Sequence, residues 1–408
     1  RKMAFSSRRR NYMLVRHRKD GLIEFFRKML NHSFVLNLVE ETAPQTWKHF
    51  EELVEEHIKD PVNSRLKHLV STVGTFFTPL PLCEAYLEYD AHYHISRRKY
   101  VSISFDDVRH ILNLAQVKAS CKQIGLLSFD GDQTLYSDGK NFNDEDLAMY
   151  IIAFLQNGTY ITLTTAAGYG LDAAKYEVRV QYLLDAFKKA SLPEDVVSKF
   201  YVLGGECNYL LQCNKNYKLS PVTDWSPKET GTIDQTIVKR LIDTAEKSLR
   251  TTINELCLNA RILRKERAVG LIHGGILENS ESGMQGSLSL RREVLDESCL
   301  RVMEDLRKQN FKIPYCAFNG GSDVWVDVGN KRVGVSTLQD LLNVPPEACI
   351  HVGDQMYETG NDIAARSCCP TIWISNPTET KYILKAMLSY IGLRESPIPK
   401  TTKGFNNE

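Results

Sequence analysis

What the chain lacks sets the first limits. Its 10 cysteines are scattered and none forms a Cys-x-x-Cys pair, which argues against a structural zinc site and for a compartment that keeps thiols reduced. No apolar run approaches the roughly 20 residues needed to cross a bilayer, and no signal-peptide core follows the first residues, so a cytoplasmic protein without a membrane partner is expected. Neither sign of charge dominates: 51 Lys and Arg face 50 Asp and Glu, a net charge of +1. Nucleic acid is therefore not an expected partner. The chain opens on Arg1 rather than Met, as a trimmed or translated fragment would. Its basic run at residues 1–10 and its polar tail at 396–408 read as solvated ends. Sequons at Asn31 and Asn157 are what chance supplies. With 408 residues, there is chain enough for two or three domains with sizeable cores.

What is present is organised around Ile124 to Gly139. The apolar run Ile124–Phe129 has the length of a buried strand and stops at Asp130, Gly131 and Asp132,. That puts two carboxylates at the carboxyl end of a strand, the edge where open parallel α/β sheets bind ligands. Gly131 allows a sharp turn, so both can address one small volume. Anions that close repel unless a cation lies between them, and Mg²⁺ is the hard ion that oxygen ligands prefer. A carboxylate there can attack phosphorus while a second acid protonates the leaving oxygen. In isolation an Asp-Gly turn after a strand is commonplace, so the weight falls on the residues that accompany it elsewhere in the chain.

From Gly21 to Val117 the apolar spacing is helical, broken at Pro61 and at Pro79-Leu-Pro81, and Ser104 with Asp107 forms a capping box for a helix over Val108–Gln116,. The basic residues Arg97, Arg98, Lys99, Arg109 and His110 could bind an anionic effector, although a solvated face is the default. After the first strand, a helix opens at Asp144 and a second buried strand, Tyr160–Thr164, ends at Thr165-Ala166, giving a right-handed βαβ unit with Thr165 on the same edge as Asp130. The span 169–311 reads as an inserted α+β domain able to close over that edge. The core sheet is expected to resume at Ile313–Phe318 and to continue through Asp323–Val328, where strict alternation places Asp323, Trp325 and Asp327 on one face. Lys331 then opens a helix, well placed to neutralise charge on a phosphoryl group. A further strand, Cys349–Val352, ends at Gly353-Asp354. This supplies Asp354 as another oxygen ligand, and Asp362 could orient Lys331. Residues 1–120 would thus be a helical region, 121–168 with 312–408 an α/β core, and 169–311 the inserted domain.

Singly these signals are weak; their order is not. Asp-x-Asp-x-Thr, then Thr165, Lys331 and Gly-Asp followed by Asn361-Asp362 resembles the haloacid dehalogenase-like phosphatases, and so implies their Rossmannoid parallel core with a cap domain. Phe129–Asp138, Thr165–Tyr169, Gly204-Gly205-Glu206, Arg264–Arg267, Asn319–Trp325 and Val352–Gln355 are more specifically similar to the IMP-specific 5'-nucleotidases of fungi and apicomplexan parasites. Phe76-Phe77-Thr78 and Val108–Gln116 extend that likeness into the helical region. The resemblance implies Mg²⁺-dependent hydrolysis of inosine 5'-monophosphate (IMP) to inosine and phosphate. It makes Asp130 the nucleophile and Asp132 the acid and later the base. It assigns Mg²⁺ to Asp130, Asp354 and the backbone carbonyl of Asp132, and the phosphate to Thr165, Ala166 and Lys331. Asp138 and Asp323 would lie near the nucleoside. It further implies a homotetramer activated by ATP, for which His110 and Arg179 are the effector candidates. Two other readings stay open on the sequence: a phosphotransferase or sugar-phosphate mutase of the same fold, and a catalytically silent nucleotide-binding regulator.

Overall fold

The computed structural model describes residues 20–36, 43–223, 225, 234–274 and 290–393; the basic run at 1–10 and the tail at 396–408 lie outside the described residues. The described part of the N-terminal region is helical, its longest elements being Gly21–Leu36, Ala43–Lys59, Leu82–Tyr93 and Phe105–Ser120. Their apolar stripes meet in an aromatic core: Phe26 stacks on Phe50 with ring centroids 4.0 Å apart, and Trp47 meets Phe50 edge-on at 5.4 Å. All three rings are fully buried. The capping box is present, with Asp107 N donating to Ser104 Oγ at 3.0 Å and Ser104 N to Asp107 Oδ2 at 2.8 Å.

The basic set on this helix is only partly a solvated face. Arg98 donates to Asp107 at 2.7 Å, and Arg109 is buried, donating to the Trp373 carbonyl and to Glu379, each at 2.7 Å. Asn113 adds bonds to the Trp373 carbonyl at 2.6 Å and from the Trp373 amide at 3.0 Å. Arg109 and Asn113 lie on the buried side of the helix, and a guanidinium tolerates that side only with a carboxylate beside it. Helix Phe105–Ser120 is thereby fastened to an edge strand of the larger sheet.

That sheet has seven strands: β1 (Leu126–Asp130), β2 (Tyr160–Thr164), β3 (Phe200–Gly204), β4 (Tyr209–Cys213), β5 (Leu219–Pro221), β10 (Cys349–Gly353) and β11 (Thr371–Trp373), in the order β11-β10-β1-β2-β3-β4-β5. From β11 to β3 the pairing is parallel; β4 and β5 add antiparallel edges. A second, antiparallel sheet runs β6 (Ala260–Arg264), β7 (Ala268–His273), β9 (Val324–Val328), β8 (Tyr315–Asn319), and packs on the helices Gln235–Glu255 and Arg292–Lys308 through Val269, Leu271, Val324, Val326 and Val328.

The α/β parallel core, the inserted α+β domain and the helical region are as expected, but the boundaries of the insertion move at both ends. Residues 200–221 join the core sheet instead of the insertion, and residues 315–328 join the second sheet instead of resuming the core. Which sheet a strand enters is decided by long-range pairing, which local spacing does not carry. One local sign was readable: the alternation along Val324–Val328 belongs to a sheet with one face on a core, whereas core strands β1 and β10 are buried at every position,.

The junction between the two units is tight. Asn208, after β3, donates to the Gly205 and Val328 carbonyls, both at 2.6 Å, and accepts from Arg267 at 3.0 Å. Gly329 has a φ of +97°, and a Cβ there would press on the Glu206 carbonyl.

Two outcomes are expected at the helical anchor. Arg109→Ala takes the guanidinium from the partly buried Glu379, leaving it Ser375 and His110, and should cost about 3 kcal/mol in urea unfolding, the low end for a broken buried pair. Burial alone would raise the Glu379 carboxyl, but His110 and Arg109 hold it below its ordinary 4.5. A depressed carboxyl stabilises the fold above its unfolded pKa and loses that contribution as pH falls toward the folded one. Thermal melts on either side of pH 4.5 should therefore show a smaller acid loss in Glu379→Gln than in the parent chain.

Candidate active site

Strand β1 delivers Asp130 to its carboxyl end, between β2 and β10. Gly131 is required there by space: a Cβ would run into the buried Tyr136 ring and its hydroxyl. The turn it allows carries Asp132, whose Oδ1 accepts from Gly139 N at 3.0 Å. Next door, the loop after β10 brings Asp354 and Asp362. Gly353 makes room for the latter, since a Cβ at that position would collide with the Asp362 carboxyl group. Asp130, Asp354 and Asp362 each place a carboxylate oxygen within 4.8 Å of the others.

Lys331 is the countercharge. It is the first residue of the helix Lys331–Leu342, capped by Asn330, whose side chain accepts from Val333 N. Its side chain is fully buried, and Nζ donates to Asp130 Oδ1 and, at 2.5 Å, to Asp362 Oδ1. Burial opposes the charge on Lys331, yet Asp130, Asp362 and Glu206 hold its pKa well above the ordinary lysine value. Burial alone would likewise raise Asp362, but Lys331 and the hydrogen bond from His351 pull it below the carboxylate range. Asp130 goes the other way. Burial lifts it to about 8 against the pull of Lys331. Burial, then Asp130 and Asp362, also push Asp354 well up.

These directions describe an anionic cluster short of positive charge. Asp362 is already committed, with Lys331 and His351 on Oδ1 and Gln355 N on Oδ2 at 2.9 Å. That leaves Asp130 and Asp354 as the carboxylates able to take a cation, and an all-oxygen donor pair suits a hard divalent ion.

The cluster opens into a cavity of about 350 Å³ between the two sheets, within the range of small-molecule sites, about 300–1,000 Å³. Asp132, Asp138, Thr165, Ala166 and Asp323 line it together with Asp130 and Asp354. Thr165 is held by its amide, which donates to the Leu203 carbonyl at 2.8 Å, and its hydroxyl accepts from Ala167 N at 3.1 Å. The inserted domain contributes the opposite wall, where the Lys265 ammonium sits 4.3 Å from the centre of the Trp325 ring. Burial raises Asp323, and Asp138 adds to this across the cavity. A larger cavity of about 690 Å³ lies where the helical region meets the core and helix Arg292–Lys308, but none of the clustered carboxylates opens into it.

The two effector candidates do not come together. Arg179 lines the same cavity as Asp130 and Asp354, donating to the Lys140 carbonyl at 3.0 Å. His110 lies outside that cavity, 3.5 Å from Glu379. Sequence reasoning missed His351, whose Nε2 is 2.9 Å from Asp362 Oδ1; the available sign was a histidine inside an otherwise apolar buried strand. Lys265 falls in the Arg264–Arg267 stretch that carries the family likeness, but nothing in the sequence assigned it a place in the site.

Known proteins resemble this chain over most of its length. Residues 5–384 match the family model of the IMP-specific 5'-nucleotidases. The chain is 40% identical over 372 residues to IMP-specific 5'-nucleotidase 1 of Plasmodium falciparum, covering 91% of this chain and 83% of that one. To its namesake from Eremothecium gossypii it is 39% identical over 420 residues, covering 94% and 98%. Among solved structures, an IMP-bound mutant of the Plasmodium falciparum IMP-nucleotidase matches with a TM-score of 0.85 at 39% identity, over 91% of this chain and 94% of that one. The ATP-bound form matches with a TM-score of 0.80 at 40% identity, over 91% and 85%. With a family model spanning most of its length and relatives this similar over nine-tenths of it, the chain belongs to the IMP-specific 5'-nucleotidase family.

Proposed function

We propose that the chain hydrolyses IMP to inosine and phosphate in a Mg²⁺-dependent reaction that passes through an aspartyl-phosphate. The observation that carries this is the convergence of Lys331 and Asp354, each more than two hundred residues away in sequence, on the carboxylate of Asp130. In the first step an Asp130 oxygen attacks phosphorus, the bond from phosphorus to O5' breaks, and Asp132 gives its proton to O5' as inosine leaves. In the second, Asp132 takes a proton from water, whose oxygen attacks phosphorus and displaces Asp130 as a free carboxylate. Thr165, Ala166 and Lys331 hold the phosphoryl oxygens, and Lys331 offsets the charge that gathers on them. Asp138 and Asp323 face the nucleoside. Asp130, Asp354 and the Asp132 carbonyl are the groups that would hold Mg²⁺, which when bound supplies positive charge to the phosphoryl oxygens.

Regulation by ATP is the second part of the reading, supported by the ATP-bound relative. His110 is retained as the candidate effector contact; Arg179, in the catalytic cavity, is assigned to substrate. We place the protein in the cytoplasm as a homotetramer. Its ten cysteines are all free thiols, which suits a reducing compartment, and no described helix is long and apolar enough to cross a membrane.

Phosphate release over a panel of nucleoside monophosphates, with and without Mg²⁺ and ATP, tests the whole. Release from IMP that needs Mg²⁺ and rises with ATP supports it; no release from any of them overturns it. Asp130→Asn removes the nucleophile and should abolish turnover while the melting curve and IMP binding persist, so near-parental turnover would refute the assignment. Asp132→Ala should slow turnover by about 10²–10⁴, the worth of a placed acid and base, and a change smaller than tenfold would move that role elsewhere.

A further inference from the structure

A line of polar side chains crosses the apolar centre of the core sheet. Thr164 on β2 donates to the Phe129 carbonyl at 2.9 Å, and its Oγ1 lies 2.8 Å from Ser128 Oγ on β1. Ser128 Oγ is 2.9 Å from His351 Nδ1 on β10, and His351 Nε2 is 2.9 Å from Asp362 Oδ1. Every one of these four side chains is fully buried. Polar groups placed there cost free energy unless each is paired, and apolar residues would hold three parallel strands together at less expense. The line therefore has to be explained by what lies at its end, the Asp362 carboxylate that shares the Lys331 ammonium with Asp130.

Counting protons settles how the line is polarised. It has four contacts. Thr164 and Ser128 supply one proton each and a neutral imidazole supplies one, so one contact goes without. The contact that can least do so is the one to Asp362, because an unprotonated ring nitrogen facing an ionised oxygen is repulsive. Burial, helped by the nearby Lys331 charge, holds the ring below its ordinary 6.5 against the pull of Asp362, which favours the neutral form. The ring proton then sits on Nε2, and Ser128 donates to Nδ1, leaving the shortfall between the two hydroxyls.

The geometry points to His351 as a positioning residue of the phosphoryl-transfer site: its Nε2–H holds Asp362 Oδ1 where that oxygen shares the Lys331 ammonium with Asp130. His351 touches no substrate and acts only through Asp362. The role rests on the reading that Asp130 and Lys331 work on the phosphoryl group.

A pair of substitutions tests it in the full chain with IMP and Mg²⁺. The amide nitrogen of His351→Gln falls near the Nε2 position and can still donate to Asp362; that of His351→Asn falls near Nδ1 and cannot. His351→Asn should lower kcat and kcat/KM together by roughly 10–100-fold, as loss of a supporting partner does, and His351→Gln should recover most of that loss. In ¹⁵N-histidine spectra of the unsubstituted chain, the His351 ring should read as neutral with its proton on Nε2. Parental kcat in a folded His351→Asn, equal impairment of both variants, or a proton on Nδ1 would each overturn the role. Should His351→Asn fail to fold, the spectrum of the parent chain decides. Asp130→Asn is run alongside: if it is inactive while His351→Asn is fully active, only the role of His351 falls, whereas an active Asp130→Asn removes the underlying reading.

Discussion

A lysine ammonium buried between two carboxylates is the interaction on which the site depends. Left alone in the interior, the Lys331 charge would cost several kcal/mol, and so would the carboxylates; together they make one another tolerable. The three come from the end of β1, the start of the helix after the inserted domain, and the loop after β10. Their mutual neutralisation therefore fixes the relative placement of segments that the chain separates widely. It also leaves Asp354 without a cation of its own, since Lys331 directs its hydrogen bonds to Asp130 and Asp362. The carboxyl edge of the sheet consequently holds more acidic groups than the protein's own cations pair with.

Much of this is legible in the sequence. The runs that became β1, β2 and β10 are mostly apolar, with only Ser128, two threonines and His351 inside them, and end on Asp, Thr or Gly-Asp, so both their burial and their shared polar edge follow from composition and chain connectivity. Lys331 was readable only through the order of its neighbours, because a lysine at a helix start is in itself ordinary. What escaped was whatever depends on a partner far away in sequence. Strands β3 and β8 carry no local sign of their sheet, yet β3 pairs with β2 and β4 while β8 pairs with β9 in the other sheet. Arg109 reads as surface charge until Glu379, 270 residues on, is seen beside it. His351 is silent for the same reason: its meaning is Asp362.

The helical region is bound to the core through a polar seam. Arg109 and Asn113 both engage the main chain at Trp373, on β11, and β11 pairs with β10, the strand that leads to Asp354. A shift of helix Phe105–Ser120 would reach the carboxylate cluster through one strand, a short rigid path for any event at the helical surface to be felt in the site.

The join between the two sheets has a consequence of its own. Only Gly329 and Asn330 separate the last strand of the inserted domain from Lys331, and Asn208 clips the end of that strand to the core. A domain joined this closely to the Lys331 ammonium is mechanically coupled to the Asp130 carboxylate that the ammonium contacts, so any displacement of the one strains the seating of the other.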